Sequence, residues 1–265
     1  MTRILLALCI SMLLLLSGCG SVPLTGRQQI LLVSDSDVLT TSLTQYSEFM
    51  KSAKVSTNKT KTDMVVRVGR KIAAATEAYL KANGMEAELK NFAWEFNLVQ
   101  SADVNAFCMP GGKIVVYEGI LPFMATDDEL AAVLGHEVAH AVAKHANERM
   151  SQQVLAEAGG TVLQESLGKK SSTVQALAGT VYGLGAQYGV MLPFSRKHEY
   201  EADRMGLIFM AMAGYNPQAA ITFWTKMAQG KSGSVPEFMS THPSDANRIA
   251  ELNRYMQEAM QHYKK

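Results

Sequence analysis

The sequence predicts an α+β fold, mostly helical with one small antiparallel sheet, and three observations lead there. Apolar residues recur at helical spacing over long stretches, as in Val65, Val68, Ile72, Ala75 and Tyr79. One central stretch changes period: Phe92, Trp94, Phe96 and Leu98 alternate with polar or small residues, and Val104 to Met109 and Lys113 to Tyr117 flank the turn signal Pro110-Gly111-Gly112. That sheet is followed by a long helical pattern carrying Gly135-His136-Glu137-Val138-Ala139-His140, an H-E-x-x-H motif that adds a chemical expectation to the structural one.

Taken in order, the chain begins with Met1-Thr2-Arg3 and an apolar run from Ile4 to Leu16, too short for a stable bilayer span. It reads as a secretory signal over residues 1–18. Its end, Leu16-Ser17-Gly18-Cys19, resembles a bacterial lipobox, which implies cleavage before Cys19 and acylation of that cysteine. Residues 19–33 then form a lipidated, turn-rich tether, and 34–265 the folded domain. Gly20-Ser21 lack the aspartate associated with inner-membrane retention, which leans towards the outer membrane. Cys9 leaves with the signal, Cys19 carries lipid and Cys108 stays unpaired, so no intramolecular disulfide framework is expected.

Ser34 to Asp37 offer N-caps for a helix running to about Ala53, Ser56 to Lys61 read as a linker, and Asp63 to Asn83 as a helix stopped by Gly84. If Ile114 to Tyr117 is an edge strand, it can hold an extended peptide by main-chain hydrogen bonds. Thr126 and Glu129 make a capping box that starts a helix at Asp127, with nothing to break it before Met150. Gln152 to Gly168 is helical, interrupted at Gly159-Gly160. Ser171 to Ser195 carries no charge, but its glycines, glutamines, hydroxyls and proline suit a buried or substrate-covering segment better than a membrane span. His198 to Asp203 open a helix that continues to about Ala213 and stops at Gly214, and Pro243 initiates a further helix.

Charge and composition exclude some functions. A formal net charge of +1 over 265 residues, with no basic stripe, argues against a nucleic-acid partner. The sixteen methionines fit adaptable packing better than soft-metal binding.

The candidate site is metal-binding. His136 and His140 lie one helical turn apart, about 40° around the axis, so both imidazoles can reach one ion. Zinc in a hydrolytic site takes about three protein ligands and keeps a position for water, whose proton an adjacent carboxylate such as Glu137 can remove. On the later helix Glu199, Asp203, Gly206 and Met210 share a face while Glu201 points nearly opposite. Glu199 is therefore the expected third ligand, Asp203 the acceptor for the free N–H of a bound histidine, and Gly206 a point of close helix approach. His145 lies about 180° around the helix from His136 and is expected to be structural or exposed, His198 to be supporting or surface, and His262 to sit in the tail.

H-E-x-x-H at His136 to His140 followed by E-x-x-x-D at Glu199 to Asp203 resembles the gluzincin metalloproteases that include the HtpX heat-shock protease and the CAAX prenyl protease. Asn105-Ala106-Phe107, Pro110-Gly111-Gly112 and Thr241-His242-Pro243 narrow the likeness to a soluble envelope branch similar to the beta-barrel assembly-enhancing protease and its lipoprotein relatives. The similarity runs from about Ser34 to Tyr255. It implies a zincin-like domain, one Zn2+ per chain, endopeptidase activity on misfolded or misassembled envelope proteins, and a catalytic place for His242 at the fourth metal position or against the oxyanion. The tetratricopeptide domain of the assembly-enhancing protease has no counterpart before Lys265, so its partner contacts are not expected here. The competing expectation is a lipid-tethered, chaperone-like binding module that keeps zinc but cleaves little. The intact Glu137 favours the enzyme.

Overall fold

A computed structural model describes residues 19–167, 192–229, 238, 242 and 246–264. Outside these lie the expected leader, residues 171–191 of the uncharged segment, the Gly230 to Ser234 loop, and Thr241 and Pro243 beside His242.

The elements in order are β1 (Cys19–Ser21), β2 (Gln28–Ile30), α1 (Asp35–Ser52), α2 (Lys59–Ala82), β3 (Glu95–Val99), β4 (Ala106–Met109), β5 (Lys113–Tyr117), α3 (Asp127–Val142), α4 (His145–Leu167), α5 (Leu192–Met212), α6 (Gln218–Gln229) and α7 (Ala246–His262). Short 3-10 turns cover Glu86–Asn91 and Glu118–Phe123. The mostly helical α+β architecture is the one the sequence predicts. Among the described residues no helix is long and apolar enough to cross a membrane.

The centre of the molecule is α3. Thr126 caps it by accepting from the Glu129 N–H at 3.2 Å, and Glu129 accepts from the Ala125 N–H, so two donors at the helix start are satisfied locally. Leu130, Ala131, Val133, Leu134 and Val138 are buried on several sides, as expected of a helix enclosed by α2, α5, α6 and β4. The crossing of α3 with α5 is the closest packing. A Cβ added at Gly206 would stand 2.8 Å from the His136 backbone nitrogen, and one at Gly135 2.8 Å from the Gly206 carbonyl oxygen. Glycine at both positions is what lets the two backbones touch.

Four expectations are corrected. The three-stranded sheet is mixed: β5 pairs parallel with β3 (Phe96 with Ile114) and antiparallel with β4 (Cys108 with Ile114), in the order β3-β5-β4. β5 is therefore central, not an edge, because Ile114, Val115 and Val116 form a continuous apolar run that needs cover on both faces. The helix carrying the histidines ends at Val142: Lys144 takes φ 55°, its ammonium held by Asp35 at 2.7 Å and Glu88 at 2.8 Å, and α4 leaves in a new direction. Gly159 and Gly160 do not interrupt α4.

Within residues 19–33, the stretch expected as a turn-rich tether, β1 and β2 form an antiparallel hairpin, Cys19 opposite Ile30, docked on the domain. Val22 joins the main core, Ser151 on α4 accepts from the Leu32 N–H at 2.8 Å, and Asn147 donates to the Val33 carbonyl at 3.0 Å. Asn58, inside the expected linker, caps α2 instead by accepting from the Lys61 N–H.

Because the α3–α5 contact is backbone on backbone, Gly206→Ala forces the helices apart and is expected to cost about 1–3 kcal/mol. Chemical denaturation of this variant against wild type measures it.

Candidate metal centre

α3 presents His136 and His140, α5 presents Glu199 and Asp203, and His242 enters from the segment before α7. Their donor atoms converge: His136 Nε2 lies 3.0 Å from His140 Nε2, 3.3 Å from Glu199 Oε2 and 3.2 Å from His242 Nδ1, while Glu199 is 3.4 Å from His140 Nε2 and 3.1 Å from His242 Nδ1. Tetrahedral zinc with arms of about 2.0–2.1 Å requires ligand atoms about 3.3 Å apart, and the cluster has that size. Nitrogen and carboxylate oxygen donors suit the same ion. Among the described residues these four groups, all buried, are the set able to hold one metal ion.

Glu137 lies beside them, 2 % exposed, with no hydrogen bond to Oε1 among the described residues. His242 Nε2 is 3.4 Å from that oxygen, and the Cys108 backbone on β4 hydrogen-bonds the carboxylate. Burial pushes the Glu137 pKa up, while His242 and His136 draw it part of the way back. A buried carboxylate oxygen with no hydrogen bond among the described residues, next to a metal-donor cluster, suits a proton acceptor.

Asp203 Oδ1 sits 2.9 Å from His136 Nδ1, on the far side of that ring from the cluster. It is gripped in turn by Arg248, whose Nε and second terminal nitrogen donate at 2.7 and 2.8 Å, and whose guanidinium lies 3.3 Å over the Trp224 ring centre. Burial would raise the Asp203 pKa, but Arg248 and His136 hold it low. Burial would likewise raise Glu199, which the surrounding His140, His136 and His242 rings keep well below the usual carboxylate range. His242 is fixed from behind: its N–H donates to the Phe238 carbonyl at 2.8 Å, and Phe238 stacks on Trp224.

Sequence reasoning missed Arg248 and the placement of His145. Arg248 is fully buried, and only its position on the buried face of an amphipathic helix hinted at this. His145 was placed opposite His136 by counting along a continuous helix. The break at Lys144 turns it back, and its Nδ1 lies 2.9 Å from His140 Nδ1. Glu201 does face away from the metal cluster, yet it is buried, 3.0 Å from His145 Nε2 and 2.7 Å from Arg27 Nε. His198 is also buried, 3.0 Å from Glu148.

With this geometry in place, comparison with known proteins is decisive: the pattern of Peptidase family M48 matches residues 67–256, well over half the chain and all the residues around the metal cluster. The chain belongs to peptidase family M48. Its M48 relatives include the mitochondrial metalloendopeptidase OMA1 of Schizosaccharomyces pombe, 39 % identical over 180 residues that make up 64 % of this chain and 49 % of the relative. The human metalloendopeptidase OMA1, mitochondrial, is 29 % identical over 247 residues, 90 % of this chain and 46 % of that one. The beta-barrel assembly-enhancing protease of Escherichia coli is 30 % identical over 166 residues, 60 % of this chain and 33 % of that one. The chain thus spans about half or less of the length of these curated relatives. The M48 assignment carries zinc with it, and the donor set fits that ion.

The protonation of the metal-free site gives a test. Burial lowers the His136 pKa, but Asp203 and Glu199 outweigh it and raise it to about 9. Burial, helped by the His136 charge and the His145 ring, pushes His140 well below its usual value. One proton therefore sits on His136 at neutrality, and zinc must displace it. Calorimetry in buffers of different protonation enthalpy is expected to find about one proton released per zinc near pH 7. Release falls away, and affinity stops rising with pH, above about 9.

Proposed function

We propose that this chain is a zinc endopeptidase of the bacterial envelope, cleaving misfolded or misassembled envelope proteins. The observation that carries the catalytic half is the buried Glu137 carboxylate, its Oε1 without a hydrogen bond among the described residues, beside a complete His136, His140 and Glu199 donor set. A site built for stability alone has no use for a buried carboxylate with one oxygen left without a hydrogen bond, which costs about 1–3 kcal/mol. Zinc, when bound, supplies Lewis acidity that makes water a nucleophile near neutral pH and polarises a peptide carbonyl. Glu137 removes the proton of the attacking water and delivers it to the leaving amine. Asp203 holds His136 with Nε2 facing the cluster, Arg248 holds Asp203, and His242 would be the fourth residue to hold the ion at rest.

Substrate binding follows from the sheet. β4, an edge strand, runs past Glu137 and offers the edge for peptide pairing that the central β5 does not. Where β4 ends, a groove lined by Val38, Leu39, Phe92, Pro110 and His140 offers an apolar seat. Exposed apolar segments distinguish misfolded chains from folded ones, which supports a quality-control substrate.

The location rests on the N-terminal sequence, with its short apolar leader ending at Cys19. A relative named as a beta-barrel assembly-enhancing protease is compatible with an envelope setting, although other relatives are named as mitochondrial. We assign lipid-anchored attachment through Cys19, facing the periplasm, with protein substrates as partners.

Glu137→Gln is expected to retain zinc and fold but lose proteolysis of an unfolded protein substrate by several orders of magnitude, because an amide cannot take the water's proton. Activity within about tenfold of wild type points to another base. Cys19→Ser is expected to move the protein from the membrane to the soluble envelope fraction, and continued membrane association of that variant refutes the lipid anchor.

A further inference from the structure

The N-terminal hairpin reaches the metal cluster through an unbroken line of buried and half-buried side chains. Arg27, between β1 and β2, donates from Nε to Glu201 Oε2 at 2.7 Å and from its two terminal nitrogens to Glu148 at 2.8 and 2.7 Å. Thr25 of the same turn donates to the other Glu201 oxygen at 2.5 Å. Glu201 Oε2 lies 3.0 Å from His145 Nε2, and His145 Nδ1 lies 2.9 Å from His140 Nδ1. His140 Nε2 is one of the converging metal donors. His198, bonded to Glu148, stacks on the His145 ring with centres 4.3 Å apart and planes 15° apart, which blocks its rotation.

The hydrogen positions follow from one fact: an ionised carboxylate only accepts. The proton in the Glu201–His145 bond must sit on His145 Nε2. In a neutral ring that leaves Nδ1 as an acceptor, so His140 must carry its own proton on Nδ1 and present a lone pair at Nε2. A metal ligand needs that tautomer. With the opposite tautomer at His145, its Nε2 lone pair would face the Glu201 carboxylate across 3.0 Å, and its Nδ1–H would meet the Nδ1–H of a metal-ligating His140 across 2.9 Å.

We propose that Arg27, Glu201 and His145 are positioning residues that lock His140 as a metal ligand, making the N-terminal hairpin a working part of the metal site. The inference rests on reading His136, His140 and Glu199 as that site. It adds a carboxylate acting through an intervening histidine, fixed by a segment that lies before residue 67, where the family match begins. None of the three residues touches the cluster's centre, so their effect falls on how firmly the ion is held.

The test is zinc release to an excess of chromogenic chelator, using the full chain. His145→Phe keeps a ring to stack on His198 but removes both hydrogen bonds, and is expected to lose zinc about 10–100-fold faster than wild type while its circular dichroism is unchanged. Arg27→Met is expected to shift release in the same direction by less, with Arg27→Lys partly restoring it. Release from His145→Phe within about twofold of wild type overturns the relay. Should that variant fail to fold, nitrogen-15 histidine spectra of the zinc-loaded wild type decide: protons on His145 Nε2 and His140 Nδ1 support the relay, and a proton on His145 Nδ1 overturns it. A wild-type chain that retains no zinc refutes the metal-site reading and the relay together, whereas normal zinc with unchanged release from His145→Phe refutes the relay alone.

Discussion

Everything in this molecule depends on two helices meeting at their backbones. At Gly135 and Gly206 there is no room for a Cβ, so α3 and α5 come closer than side chains would permit. That contact sets the reach of the residues beside it. His136 follows Gly135 directly, and Asp203 and Glu199 precede Gly206 by about one and two helical turns. An imidazole and a short carboxylate can bridge the gap only because it is so small. Donor atoms 3.0–3.4 Å apart are the outcome, and a wider crossing would leave two separate polar faces. The same constraint explains why α3 is buried so completely: a helix that touches a neighbour's backbone on one side must be packed by side chains on the others to hold its place.

Around that crossing, the two histidines of the donor cluster on α3 are supported in parallel ways by residues far apart in the chain. His136 is held at Nδ1 by Asp203, which is clamped by Arg248 from α7. His140 is held at Nδ1 by His145, backed by Glu201, which is clamped by Arg27 from the hairpin. Both lines end in arginine, whose planar fork stays charged when buried and fixes a carboxylate's direction as well as its charge. The extra histidine in the second line follows from the break at Lys144. That left-handed residue, anchored by Asp35 and Glu88, is what places His145 between His140 and Glu201.

How much of this the sequence disclosed follows from the range of the interactions. Helical angles along α3 and α5 are local, so His136, His140, Glu199 and Asp203 could be assigned to facing sides before any fold was known, and Gly206 recognised as a contact point. The capping box at Thr126 was equally legible. What local periodicity cannot carry is a change of direction. His145 is structural and outside the donor set, as expected, but its direction was hidden because one non-glycine residue leaves the helix with φ 55°, at a position where lysine gives no warning. The order β3-β5-β4 was hidden because strand pairing is non-local, although the unbroken Ile114-Val115-Val116 run pointed to a central strand. Arg248 and Arg27 looked like ordinary surface charges, since burial of an arginine depends on partners more than forty residues away in the chain.

The energetics of those partners bear on why they are there. Taking Arg27, Glu148, Glu201, Asp203 and Arg248 out of water costs several kcal/mol per ion, and well-packed apolar residues in their place are often as stabilising or more so. A core assembled only for stability would not be built this way. What the charges supply is direction: each carboxylate accepts from a known side and so dictates where the next proton sits, until the final nitrogen faces the metal cluster with a lone pair. Their cost falls on the two lines that end at His136 and His140, while α3 packs its core contacts with leucine, valine and alanine and buries only Glu129 at its cap and Glu137 beside the cluster as further charges. Cys19 lies in the strand next to the turn that presents Arg27, so that strand and the metal cluster are joined through Arg27, Glu201, His145 and His140.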